Sequence, residues 1–242
     1  MDFKTRLSET FPGALEAADY LRLTTDALAP LGFTAENTIG CVGLCRDELC
    51  RPLADDVHDA WGEAFNFSSL GGMLLLGRTG FGAAHAHSPI FEGRERYVYY
   101  CMPHIGIGPG GEIGQCERPG REAPSKACGA LAALCAEIDG GCLKFGRDPD
   151  DLEQSLLRER LLRVLEWGHT PDLLEVTHAA RRAIQADLER AIELTVDTDR
   201  ADYAAFTGIQ IHGPGARTLV HAGPSWAAVG GERRAIEGLP MA

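Results

Sequence analysis

The sequence predicts a mixed α/β fold with a sheet flanked by helices. Short, strongly apolar runs at 38–44, 73–76 and 97–102 have the length of buried strands. Longer segments repeat apolar residues at helical spacing. A late run, Ala204 to His212, returns to strand character after two consecutive helices. The 242 residues, 45% of them hydrophobic, are enough for one sizeable core. No internal repeat or low-complexity linker divides them. The chain therefore reads as one domain over 1–242, with a helical arm at 1–37 and a helical hairpin at 148–197.

Each element has a local reason. Residues 13–31 carry Leu15, Ala18 and Leu21 at near-helical spacing and stop around Pro30 and Gly32. Thr38 to Leu44 is a buried strand ending at Cys45. Pro52 opens a helix whose face holds Leu53, Val57, Trp61 and Ala64. Met73–Leu76 reads as a second strand, followed by the glycine-rich Gly77-Arg78-Thr79-Gly80. Tyr97–Met102 is a third, running into Pro103-His104. Pro124-Ser125 starts an alanine-rich helix through Glu137. Asp148-Pro149-Asp150-Asp151 combines a capping carboxylate, a first-turn proline and acids at the positive end of the helix dipole. That helix runs through Leu152, Leu156 and Leu161 towards Gly168. Thr170-Pro171 opens the next, with Leu173, Ala180, Ile184, Leu188 and Ile192 inward.

Composition excludes several functions. A formal net charge of −12 repels nucleic acid phosphates and anionic membrane surfaces. No stretch approaches a membrane span of about 20 apolar residues. The segment MDFKTRLSETFPG lacks the apolar core of a secretion signal, so a cytoplasmic location is expected. In that setting the eight cysteines are expected as thiols, metal ligands or catalytic groups rather than disulfides.

Two motifs fail on inspection. Gly106-Ile-Gly-Pro-Gly-Gly111 matches G-x-G-x-x-G and follows a strand, but no helical period follows it; a loop or hairpin is expected, without nucleotide. Cys41, Cys45 and Cys50 are spaced C-x3-C-x4-C, which fits no iron–sulfur pattern.

The remaining chemistry converges on three residues. Cys45 ends a strand, His104 follows one, and Cys128 falls in the first turn of a helix capped by Ser125, where free N–H groups and the dipole favour thiolate. Two thiolates and an imidazole can hold zinc and leave the fourth tetrahedral position free, as a catalytic site requires. Asp47, two residues after Cys45, could reach a water there. His85, His87 and His212 are candidates for proton transfer or for structural roles. His58, His169, His178 and His221 read as surface or loop residues.

Gly43-Leu-Cys-Arg-Asp-Glu48, Pro103-His104-Ile105, Gly111-Glu-Ile-Gly114 with Arg118, Ser125-Lys-Ala-Cys-Gly-Ala-Leu131 and Phe206-Thr-Gly-Ile-Gln-Ile-His-Gly-Pro214 together resemble the limiting-carbon-dioxide-inducible B/C (LCIB-type) family over about residues 38 to 230. That family is the theta-class carbonic anhydrases, similar to the beta class. The resemblance implies a homodimer with a mostly parallel central sheet, and zinc on Cys45, His104 and Cys128. It also implies hydration of carbon dioxide to bicarbonate by zinc-bound hydroxide. In the best-known carbonic anhydrase zinc lowers the pKa of its water to about 7. Asp47 would orient the hydroxide, and an arginine would hold Asp47 off the metal. The beta class uses C-x-D-x-R, but Leu49 stands at the arginine position here. Arg78 is expected in that role ahead of Arg46, which is adjacent to Asp47 and would point away in an extended segment. A catalytically silent zinc scaffold and a zinc hydrolase are the alternatives, because a fold does not guarantee an activity.

Overall fold

The computed structural model describes residues 1–236, 238 and 239. In chain order the elements are α1 Phe3–Thr10, β1 Leu15–Glu16, α2 Ala17–Leu28, β2 Ile39–Gly43, α3 Arg51–Trp61, β3 Ala64–Asn66, α4 Gly77–His85, β4 Ile90–Phe91, β5 Arg94–Cys101 and β6 His104–Gly106. They continue with β7 Gln115–Cys116, β8 Ser125–Lys126, α5 Gly129–Asp139, α6 Leu152–Leu161, α7 Leu173–Thr195, β9 Ala201–Gly213, β10 Arg217–Val229 and β11 Glu232–Ala235. The main sheet runs β1-β10-β9-β5-β2-β3. Its heart is parallel: β3, β2, β5 and β9 lie side by side in one direction, and β6 also pairs parallel with β9. The β9–β10 hairpin and the short margins β1, β4 and β11 are antiparallel.

Strands β2 and β9 are buried along their whole lengths. Burial on both faces accounts for the absence of apolar–polar alternation, the run being continuous in β2 and interrupted in β9 by the buried Asp202, Thr207, Gln210 and His212. Helices cover the sheet with one apolar stripe each. In α3, Leu53, Val57 and Trp61 recur every fourth residue and are all buried. In α7, Val176, Ala180, Ile184, Leu188 and Ile192 do the same along most of the helix. The start of α7 is fixed by a capping box in which Asp172 and Glu175 satisfy each other's backbone N–H groups.

Several expectations change. Met73–Leu76 is not a strand: Met73 and Leu74 are buried, but the run pairs with no neighbour and leads directly into α4. A short apolar run signals burial, not its secondary structure. The glycine-rich segment that follows is helical because Phe81, Ala84 and His85 form one buried face. Leu15–Glu16 pairs with β10, so the first long helix begins at Ala17; it gives way to a short 3-10 turn, Ala29–Leu31, ended by left-handed Gly32. The helix expected from Asp148 begins at Leu152 and ends at Leu161, because the Asp148 N–H is held by the Ser155 hydroxyl. Gly106–Gly111 forms a tight hairpin turn with no helix after it, as expected.

Candidate metal centre

Three separate backbone devices bring the donors together. Cys45 lies just beyond the end of β2, where it bridges to Ser69. After Cys101 the chain passes Met102 and Pro103 and resumes pairing with β9 at His104, opposite Gln210. Cys128 is itself the N-cap residue of α5, three positions earlier in the helix than a Ser125 cap would put it, because Ser125 lies in β8. Cys45 Sγ and Cys128 Sγ are 3.7 Å apart, and with His104 they form a buried group whose donor atoms all lie within 4.8 Å of one another.

That spacing fits a metal. Two bonds of about 2.3 Å at the tetrahedral angle separate their sulfurs by about 3.8 Å, as for zinc. His104 Nε2 is fully buried and has no hydrogen-bond partner among the described residues. A buried nitrogen without a partner costs about 1–3 kcal/mol, a penalty that a metal bond removes. Its other ring nitrogen, Nδ1, lies 3.1 Å from His212 Nε2. Residues 104 and 106 share a face of β6, and Gly106 pairs with His212 on β9, so the sheet register brings the two imidazoles together. Burial, with His104 beside it, pushes His212 down to about 3. A neutral His212 can accept from His104 Nδ1–H, which turns the Nε2 lone pair towards the two sulfurs.

The thiols behave as a pair. The Cys128 S–H donates to the Cys45 thiolate, which is pushed down to about 4 against the penalty of burial. The same bond, with burial, pushes Cys128 well above an ordinary thiol, although the Leu131 and Ala130 N–H groups pull it down. The helix start alone therefore does not ionise Cys128, contrary to expectation. A bound divalent cation removes this second proton as well.

Asp47 caps a short turn by accepting from the Leu49 N–H at 3.2 Å, and its Oδ2 lies 3.9 Å from His104 Nε2. Arg118 grips both of its oxygens, Nη1 to Oδ1 at 3.0 Å and Nη2 to Oδ2 at 2.8 Å. Burial opposes the Asp47 charge most, but Arg118, His104 and the Leu49 N–H together hold the carboxyl below its usual range. Arg118 is itself aimed by donating to Ser125 Oγ at 2.6 Å and to the Lys126 carbonyl at 3.3 Å, and it also contacts Glu48. Neither arginine expected on Asp47 is there. Arg46 pairs with Glu153 at 2.7 Å. Arg78 stands in α4 and lines a separate cavity, because the segment that was to bring it to Asp47 is a helix rather than a loop. The only sequence signal for Arg118 was its place in a family-like motif.

The other histidines and cysteines sort by burial. His85 is buried against Tyr97 and bonded to Tyr99 at 2.6 Å; burial pushes it down to about 4, which favours the uncharged ring at neutral pH. His87 is exposed. His221 is buried against Phe11, not a loop residue. Cys50 Sγ lies 3.8 Å from His212 Nε2, and burial holds it well above an ordinary thiol. A cavity of about 610 Å3 opens beside the donors, lined by Cys45, Asp47, Glu48, Arg51 and Asp55 among others. No helix among the described residues is long and apolar enough to cross a membrane.

Comparison with known proteins identifies the family and the fold. The sequence profile of the limiting CO2-inducible proteins B/C beta carbonic anhydrases matches residues 14–229. The crystal structure of limiting CO2-inducible protein LCIB is 34% identical, with 98% of this chain and 99% of that chain covered and a TM-score of 0.80. PtLCIB4, a homologue of LCIB, shares the fold at 24% identity, with 97% and 100% covered and a TM-score of 0.84. No curated protein sequence matches the chain. By profile and by likeness to LCIB over almost its whole length, this chain belongs to the limiting CO2-inducible B/C family of beta carbonic anhydrases.

Proposed function

We propose that the chain is a zinc-dependent carbonic anhydrase that interconverts carbon dioxide and bicarbonate. The observation that supports this most is the partnerless, buried His104 Nε2 facing two sulfurs, with Asp47 3.9 Å away and held by Arg118. Cys45, His104 and Cys128 would hold the metal. Bound zinc supplies a Lewis acid that makes water acidic enough to attack carbon dioxide near neutral pH.

The protein's own residues do the rest. Asp47, kept ionised by Arg118, is an acceptor that orients the attacking water through its O–H. Arg118 occupies both carboxylate oxygens, so Asp47 does not swing onto the metal and close its open position. His212 keeps the His104 ring in the tautomer whose Nε2 can ligate. A homodimer and a cytoplasmic location belong to the same reading, on the strength of the family resemblance and the eight free thiols.

Stopped-flow carbon dioxide hydration with parallel zinc analysis tests the proposal. It holds if zinc is near one per chain and turnover is fast. Full zinc without turnover selects a silent scaffold. The size and charge of the neighbouring cavity favour one further reading, hydrolysis of a larger polar substrate. Ester turnover without carbon dioxide hydration would select that instead.

A further inference from the structure

A second cavity, of about 590 Å3, lies between α4, α6 and α7. It contains none of the donors, nor Asp47 or Arg118. Its volume is that of a small-molecule site rather than of a single inorganic ion. About one residue in ten of the whole chain is basic, 23 of 242. Here five of twelve wall residues are: Arg78, Arg147, Arg160, Arg163 and Arg190. They come from four places in the chain, Arg160 and Arg163 being one turn apart, and converge only in the fold.

Two acids share that wall. Glu159 pairs with Arg147 at 3.1 Å and with Arg163 at 2.6 Å, and Asp187 pairs with Arg160 at 2.7 Å. Arg78 and Arg190 have no ion-pair partner among the described residues. Five positive against two negative charges leave this wall at +3 in a chain of −12. Ordinary surface pairing would leave such a patch near neutral. Leu74, Phe81 and Leu194 supply an apolar side to the same cavity.

We propose that this cavity binds a small organic molecule carrying two or more phosphate charges. Guanidinium groups match phosphate oxygens with two parallel N–H donors each, and neighbouring arginines repel one another until an anion sits between them. Arg78 and Arg190 make the direct contacts. Arg147 and Arg163 are released in part from Glu159 as the anion arrives. The apolar side takes the non-phosphate part of the ligand.

Titration calorimetry of the full chain with pyrophosphate, at low and at physiological salt, tests the site. One saturable site per chain is expected, weakening as salt rises. Losing one guanidinium–phosphate contact costs about tenfold in affinity, so R78Q/R190Q, which loses two, should bind about a hundredfold more weakly. Its zinc content and melting temperature should match the wild type. E159Q should bind several-fold more tightly, because it frees two guanidinium groups and makes the wall one unit more positive. No saturable binding, equal affinity in R78Q/R190Q, or weaker binding in E159Q would each overturn the proposal. Inorganic phosphate or bicarbonate binding as tightly as pyrophosphate would overturn the requirement for two or more phosphate charges.

Discussion

The two sides of the His104 ring face similar chemistry and behave differently. On the Nε2 side stand Cys45 and Cys128; on the Nδ1 side stand His212 and Cys50, and either set is compact enough to hold a metal. On the first side the nitrogen has no partner, and the bond from Cys128 pushes the Cys45 thiol down. On the second the nitrogen is engaged by His212, and Cys50 is held protonated by burial and by the charges of Cys45 and Asp47. The difference is electrostatic rather than geometric. A metal site is marked by a free nitrogen lone pair beside a thiol whose proton leaves easily, and only the Nε2 side has both, in His104 and Cys45.

Breaking the Nε2 side should have the largest effect. In Cys128→Ser a neutral hydroxyl replaces a thiolate, and zinc should fall from about one per chain to near none; metal analysis of the purified variant decides this. Full occupancy would move the metal to the other side of the ring. Asp47→Ala should keep its zinc and lose activity by roughly a hundredfold to ten-thousandfold, the usual range for a positioned proton-handling group. Wild-type kcat/KM in that variant would remove Asp47 from the chemistry.

Arg118→Gln tests how the two neighbours of the metal are kept apart. Without the guanidinium the half-buried Asp47 charge is unpaired, which should cost about 1–3 kcal/mol of stability while zinc is retained. Turnover should fall with it, whereas Arg46→Gln, paired only with Glu153, should leave turnover unchanged. Equal losses in the two variants would contradict the assignment of Arg118.

The Nδ1 side should respond more gently. His212→Ala removes the group that orients His104, and zinc affinity measured by chelator competition should drop about 10–100-fold. Acid should act in the same direction. His212 and His85 are depressed to about 3 and about 4 in the fold, below an ordinary 6.5. The unfolded chain therefore binds more protons, so their stabilisation is complete above about pH 6.5 and is lost as pH falls towards 4. A melting temperature that stays flat across that window would contradict neutral, buried imidazoles. Cys50→Ala should change zinc affinity least, by no more than a few-fold.

The same contrast separates what could be read in the sequence from what could not. The three donors and Asp47 were legible because each stands at a local boundary: a strand end, a strand restart and a helix start. Helices α3 and α7 were legible because an apolar stripe repeating every three or four residues is a local pattern. Met73–Leu76 misled because apolar residues buried without a ladder look, in sequence, like a strand. Arg78 misled with it, since its expected reach depended on a loop that is a helix.

The sequence by itself determined the α/β class, the types and approximate places of the candidate ligands, and the acidic, cysteine-rich character of the chain. These follow from periodicity, turn chemistry and charge, which act over a few residues. Only the tertiary structure decided that Arg118, 71 positions from Asp47, grips that carboxylate. It alone also decided that His212, 108 positions from His104, lies 3.1 Å from the Nδ1 of that ring, and that five arginines line one cavity. Such pairings depend on how strands are ordered and in what register. That arrangement is set by burying the whole core at once, and no local stretch of sequence encodes it.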